Sequence, residues 1–129
     1  MPDRIKFRRL NYRKNIGTSE TQTMKLITKN IDFGSTGFKI VMKKVYVTYS
    51  GNGTNMSLNY KSFSKDGVAS PLNFTGTFAN ASSNTLTAEF VPATKSQSKN
   101  LYSVQLLFNS SGSGIHMDFK IHDISIVYQ

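Results

Sequence analysis

The residues best equipped for chemistry stand close together late in the chain: His116, Asp118, His122 and Asp123. Imidazole and carboxylate on a strand can ligate a metal or exchange protons. Their spacing argues against both. On an extended chain His116 and Asp118 share one face, Asp123 falls beyond a bend, and no third ligand stands at a defined offset, so the group reads as the polar face of a sheet. A glycosidase needs two carboxylates about 5–10 Å apart across a cleft, drawn here from Asp3, Glu20, Asp32, Asp66, Glu89, Asp118 and Asp123. Glu89 with Asp118 on neighbouring strands is the one pairing to weigh, and isolated strand acids more often solubilise a face or meet a cross-strand lysine. There is no glycine-rich phosphate loop before a helix and no nucleophile elbow. Cysteine is absent, which removes disulfides, thiolate metal sites and thiol nucleophiles. The chain therefore reads as a non-enzyme with no catalytic residues, no metal and no cofactor.

The elements that position these residues are strands. Thr21–Ile27 sets Met24 and Leu26 against Thr23 and Lys25, and Phe38–Ser50 sets Val45, Val47 and Tyr49 against Tyr46 and Thr48. Gly51-Asn52-Gly53 then offers positive-φ residues, predicting a hairpin into Asn55–Phe63, where Met56, Leu58 and Tyr60 alternate with polar neighbours. Leu72–Phe74 begins another extended run that fades into the polar Asn80–Asn84. Leu86, Ala88 and Phe90 then alternate up to a stop at Pro92. Leu101–Asn109 is apolar on both faces, as in a strand covered on both sides, and Ile115–Tyr128 is one bent strand or two. No segment has the apolar spacing of a helix, with room only for a short one at Ser35–Phe38 or Ser96–Leu101. Seven or so strands separated by Gly, Ser and Asn turns predict an all-β antiparallel sandwich, jelly-roll-like or Ig-like.

Charge divides the chain differently. Of a net charge of +9, the first fourteen residues hold +5, because Arg4, Lys6, Arg8, Arg9, Arg13 and Lys14 face only Asp3. So dense a positive segment repels itself and seeks an anionic surface. We expect residues 1–20 to form an extended basic N-terminal arm and residues 21–129 the sandwich. The arm's partner-binding residues are Arg4, Lys6, Phe7, Arg8, Arg9, Leu10, Tyr12, Arg13 and Lys14, with arginines pairing to carboxylates and Phe7, Leu10 and Tyr12 anchoring in pockets. Phosphate contact with DNA, with Phe7 and Tyr12 stacking on bases, is the less favoured use. Tyr12, Tyr46, Tyr60 and Tyr102, read as exposed, are the residues that could form a sugar-stacking platform, although tryptophan is absent and alternating strand tyrosines more often serve as core rim or cross-strand packing.

Neither a signal-peptide pattern nor a run of about 18 apolar residues occurs, so the expectation is a protein made in a cytoplasm without a membrane span. Asn-x-Ser/Thr triplets at Asn52, Asn55, Asn73, Asn80 and Asn109 then read as loop composition.

Five motifs, Lys29-Asn-Ile-Asp-Phe-Gly34, Lys43-Lys-Val-Tyr-Val-Thr-Tyr49, Ala88-Glu-Phe-Val-Pro92, Tyr102-Ser-Val-Gln-Leu-Leu-Phe108 and Phe119-Lys-Ile-His-Asp-Ile-Ser-Ile-Val-Tyr128, come in this order. Over Lys29–Gln129 the sequence resembles the C-terminal β domain of tail-associated structural proteins in the virions of short-tailed marine bacteriophages. There the domain ends a much longer polypeptide, and basic residues usually follow the tyrosine. The resemblance implies a virion structural protein, here a small tail accessory or decoration subunit, on the tail or the head, touching other tail or capsid subunits and repeated as a homo-oligomer where the particle is symmetric. The alternative from another class is a β-sandwich module that binds host glycans.

Overall fold

A computed structural model describes residues 6–10, 14–15, 25–29, 31–32, 40–54, 56–64, 67–68, 72–99, 101, 103–110 and 119–129. Among them run β1 (Lys6–Leu10), β2 (Lys14–Asn15), β3 (Lys25–Ile27), β4 (Ile31–Asp32), β5 (Met42–Asn52), β6 (Met56–Ser64), β7 (Gly67–Val68), β8 (Leu72–Thr75), β9 (Asn80–Pro92), β10 (Ser103–Ser110) and β11 (Lys120–Tyr128). A 3-10 turn, η1 (Lys95–Ser98), lies between β9 and β10. The region 21–24 of the first expected strand lies outside the described residues, as do Ile115 and Met117.

Sequence alternation becomes alternation of burial. In β5, Val45, Val47 and Tyr49 are buried while Lys44, Tyr46, Thr48 and Ser50 are half-buried. In β6, Met56, Leu58 and Tyr60 turn inward, and in β10 Val104, Leu106 and Phe108 do the same. Leu107, on the opposite side of β10, is also buried, which explains why that strand reads as apolar on both faces.

Without the two-residue strands β2, β4 and β7, eight strands remain, and every pairing is antiparallel. Counted along the chain, the first pairs with the eighth (β1·β11), the second with the seventh (β3·β10), the third with the sixth (β5·β9) and the fourth with the fifth (β6·β8). This is a long antiparallel hairpin rolled up, so that β1-β11-β5-β9 form one layer and β8-β6-β10-β3 the other. That order is a jelly roll. The Ig-like alternative, in which the first strand pairs with the second, is not the arrangement found. The layers bury one shared core, and β8 joins them along one side through Phe74↔Pro92 and Thr75↔Val91.

The expected hairpin of β5 with β6 does not form, although the turn is where its glycines place it. Gly51 has φ 88°, and the Asn52 side-chain oxygen accepts hydrogen bonds from the Thr54 N–H (3.1 Å) and hydroxyl (2.8 Å). The turn carries the chain out of one layer and into the other, so β5 lies between β11 and β9 while β6 lies between β10 and β8. β9 also starts earlier than expected, at Asn80. Its register jumps from Ser50↔Thr85 to Asn52↔Asn80, leaving residues 81–84 outside the β5 ladder, with Ser82 at φ 53°. The polar Asn80–Asn84 stretch is thus a bulged insertion at the start of a strand.

Phe78 closes the core where β5 gives way to β6. Its ring meets Tyr49 edge-on (5.0 Å between centroids), Phe90 (4.9 Å), Phe119 (5.1 Å) and Phe108 of the opposite layer (6.3 Å). The next residue is held on both sides: the Ala79 N–H donates to the Tyr49 hydroxyl (2.7 Å) and its carbonyl accepts from the Gly53 N–H (3.0 Å). Gly53 is required by this approach, since a Cβ there would lie 2.6 Å from the Phe78 Cβ. Phe78→Ala is expected to cost about 3–5 kcal/mol in denaturant unfolding, and Gly53→Ala about 1–3 kcal/mol through overpacking. A Phe78→Ala loss below about 1 kcal/mol would show that the ring does not hold the two layers together.

Candidate functional site

The outer face of the β1-β11-β5-β9 layer carries the described polar chemistry. Strand register sets it directly: Tyr46 faces Glu89, Thr48 faces Thr87 and Asp123 faces Thr48. The Tyr46 hydroxyl donates to Glu89 Oε2 (3.0 Å), and Lys44 Nζ lies 3.4 Å from the same oxygen. Next along the strands, the Thr48 and Thr87 hydroxyls share a hydrogen bond of 3.1 Å, and Ser50 Oγ lies 2.9 Å from His122 Nε2. The hydrogen bond and charge of Glu89, with a smaller contribution from Tyr46, raise the Lys44 pKa above its ordinary value. Glu89 is thereby a cross-strand rung, its carboxylate shared by a cation and a phenol on an exposed face.

His122 owes its position to a β-bulge. Ile121 pairs with Tyr49 and Asp123 with Thr48, so one extra residue enters β11 between them. The bulge also explains a spacing that a regular strand forbids: Ile121 and Ile124, three positions apart, are both fully buried. A serine hydrogen-bonded to a histidine resembles part of a nucleophile–base pair, but acyl transfer further requires an orienting third group and oxyanion donors around a reacting atom. Ser50 and His122 form a rung between β5 and β11. His116 and Asp118 lie outside the described residues, and among the described residues no three His, Asp or Glu side chains gather to hold a metal.

The tyrosine platform is corrected by the fold. Tyr60 is fully buried, its ring 4.7 Å from that of Phe74 in the core, because it continues the inward face set by Met56 and Leu58. It is not available to a sugar. Tyr46 lies half-buried against Glu89, and Tyr12 and Tyr102 lie outside the described residues. The Tyr60 hydroxyl has no hydrogen-bond partner among the described residues, and burial raises its pKa.

Of the basic segment, Lys6, Phe7, Arg8, Arg9 and Leu10 make up β1, whose backbone pairs with β11 from Lys6↔Tyr128 to Leu10↔Ile124. Lys14 belongs to β2, opposite Ile121. Arg4, Tyr12 and Arg13 lie outside the described residues. Among the described strands β1 is the outermost of its layer, and β11 lies between it and β5. Composition marks this segment as charged. Pairing with a strand more than a hundred positions away leaves no local signature in the sequence.

A scan against protein-family models finds no match. A search of curated proteins finds none either. Among solved structures, this chain is similar to a chain in the structure of infectious bursal disease virus Gx strain, with 12% sequence identity and a TM-score of 0.44. The similarity covers 97% of this chain but only 32% of that chain's length. Among the described residues, no helix is long and apolar enough to cross a membrane.

Two outcomes test the site. Glu89→Gln should bring the Lys44 titration, followed by NMR, back down toward that of an ordinary lysine, and an unchanged midpoint would mean that the pair does not persist in solution. Tyr60→Phe removes an unpartnered buried hydroxyl and should leave stability unchanged or raise it by up to about 1–2 kcal/mol at neutral pH. An unfolded tyrosine ionises near pH 10 while buried Tyr60 keeps its proton to higher pH. Its contribution is therefore complete below about pH 10 and is lost as pH rises through the folded-state pKa. In Tyr60→Phe the alkaline fall in stability should be shallower.

Proposed function

We propose that this chain is a non-enzymatic structural subunit of a bacteriophage virion, a small tail accessory or decoration component held to neighbouring subunits by its basic N-terminal segment. The fold alone does not choose this role, because jelly rolls serve capsids, lectins and cupins alike. The virion assignment rests on the resemblance over Lys29–Gln129. Three of its motifs coincide with strands at the interior of the two layers: Lys43–Tyr49 in β5, Tyr102–Phe108 largely in β10 and Phe119–Tyr128 along β11.

The observation that carries the tethering role is the location of the basic segment's backbone. Among the described strands β1 lies at an edge, and it bears Lys6, Arg8 and Arg9 within five residues. Cations on an edge discourage pairing with further copies of the same basic chain. They favour an acidic neighbour, with arginine supplying bidentate contacts to carboxylates. The glycan-binding alternative is weaker, since Tyr60 is in the core and Tyr46 is engaged by Glu89.

Deleting the segment would also strip β11 of a pairing partner, so charge substitution is the cleaner test. Replacing Arg4, Lys6, Arg8, Arg9, Arg13 and Lys14 with glutamine should leave a folded β protein by circular dichroism that no longer joins purified particles. Incorporation at normal occupancy would rule out the tether. Tyrosine-dependent binding on a glycan array would favour the sugar-binding reading, and DNA affinity falling steeply between low and moderate salt would redirect the segment to packaged DNA.

A further inference from the structure

Strands β5 and β9, neighbours in one layer, part before Pro92 ends β9. The β5–β9 ladder reaches Val45↔Phe90 and stops, because Pro92 has no N–H to donate, and Val91 and Pro92 are joined instead to Thr75 and Phe74 of β8. The opposing chain goes the other way: Val41 exchanges both backbone hydrogen bonds with Gln129, at 2.9 and 3.0 Å. Between the diverging strands lies a groove of about 210 Å³ lined by Val41, Val91 and Pro92, with Lys43, Lys95 and Lys99 exposed around it. The last two bracket η1, which is held by a hydrogen bond of 2.9 Å from the Ser98 hydroxyl to the Lys95 carbonyl. Among the described residues no carboxylate lies within ion-pair distance of these three lysines; the pairing of Lys44 with Glu89 involves the adjacent residue on β5.

We propose that this groove binds an acidic peptide segment of a protein partner, seating one apolar side chain against Val41, Val91 and Pro92 and placing carboxylates on Lys43, Lys95 and Lys99. Three cations around an apolar floor complement a short sequence in which acids flank an aliphatic residue. The volume is below the about 300–1,000 Å³ of small-molecule pockets and suits a side chain. A second copy of this chain does not supply the ligand, because no two of its seven acids lie within four positions of each other. A nucleic acid is the poorer fit: among the described residues no aromatic ring lines the groove for a base to stack on, and no arginine lines it to grip a phosphate with two hydrogen bonds.

The test is residue-resolved, because the basic N-terminal segment will also attract anions. The isotope-labelled full chain is titrated with acetyl-Asp-Glu-Leu-Asp-Glu-amide at low ionic strength and followed by NMR. Saturable shifts are expected at the amides of Val41, Lys43, Val91, Lys95 and Ser98. Lys95→Glu with Lys99→Glu should weaken them roughly tenfold without altering the shifts of the N-terminal segment, and the milder Lys95→Gln with Lys99→Gln should weaken them less. Unchanged spectra elsewhere would show that both variants fold. The same peptide with glycine in place of leucine should bind several-fold more weakly. Shifts confined to the N-terminal segment, equal affinity for the two peptides, or displacement of the peptide by a short oligothymidylate would each overturn the proposal. None of these results bears on particle incorporation, so this test and that of the tether fail separately.

Discussion

One aromatic ring sets the conditions for the rest of this fold. Phe78 touches Tyr49, Phe90 and Phe119 in one layer and Phe108 in the other, so it lies where the two apolar faces must agree. Its position is fixed through Ala79, whose two backbone groups are taken up by Tyr49 and Gly53. The same few residues therefore satisfy the Ala79 peptide, turn the chain from one layer to the other and close the end of the core. A buried tyrosine normally needs a partner for its hydroxyl, and Tyr49 has one because it is also a clamp. Tyr60 has a similar burial but no such duty, and its hydroxyl remains unpaired among the described residues.

How much of this could be read in advance depended on how local each cause is. The inward faces of β5, β6 and β10 follow from simple alternation, and residue type alone identifies them. The turn at Gly51–Gly53 was legible as a turn, but a hairpin and a crossing between layers use the same glycine chemistry, and only the distant Phe78 and Ala79 decide between them. The bulge in β11 left a trace, since Ile121 and Ile124 cannot both face inward along a regular strand. The extended polar start of β9 left none, because Asn, Ser and Thr at Asn80–Asn84 look the same in a loop as in a strand lifted from its ladder.

The candidate site was legible in the same uneven way. Glu89 reads as a strand acid awaiting a cross-strand cation, and Lys44 supplies one from a position that needs only the β5–β9 register to find. Tyr60 misled because tyrosine is equally at home in a core and at a surface, although its own alternation with Met56 and Leu58 carried the correct answer. The groove beside Pro92 could not be read at all. Its lysines come from β5, from η1 and from the residue just after η1, and they are brought together only by the parting of strands that the proline helps to cause.

The rolled-up hairpin has a consequence for how the molecule is made. β11 follows every other described strand along the chain, yet it lies between β1 and β5. During synthesis on a ribosome, the earlier strands emerge with a gap where their layer's interior member belongs, and the β1–β11 ladder cannot form until β11 has emerged. Completion of that sheet is therefore a late event governed by the most distant pairings among the described strands, the kind that close slowly. Until then the nascent protein exposes the flank of β5 that β11 will cover, and it is in this interval that a chaperone would find most to protect.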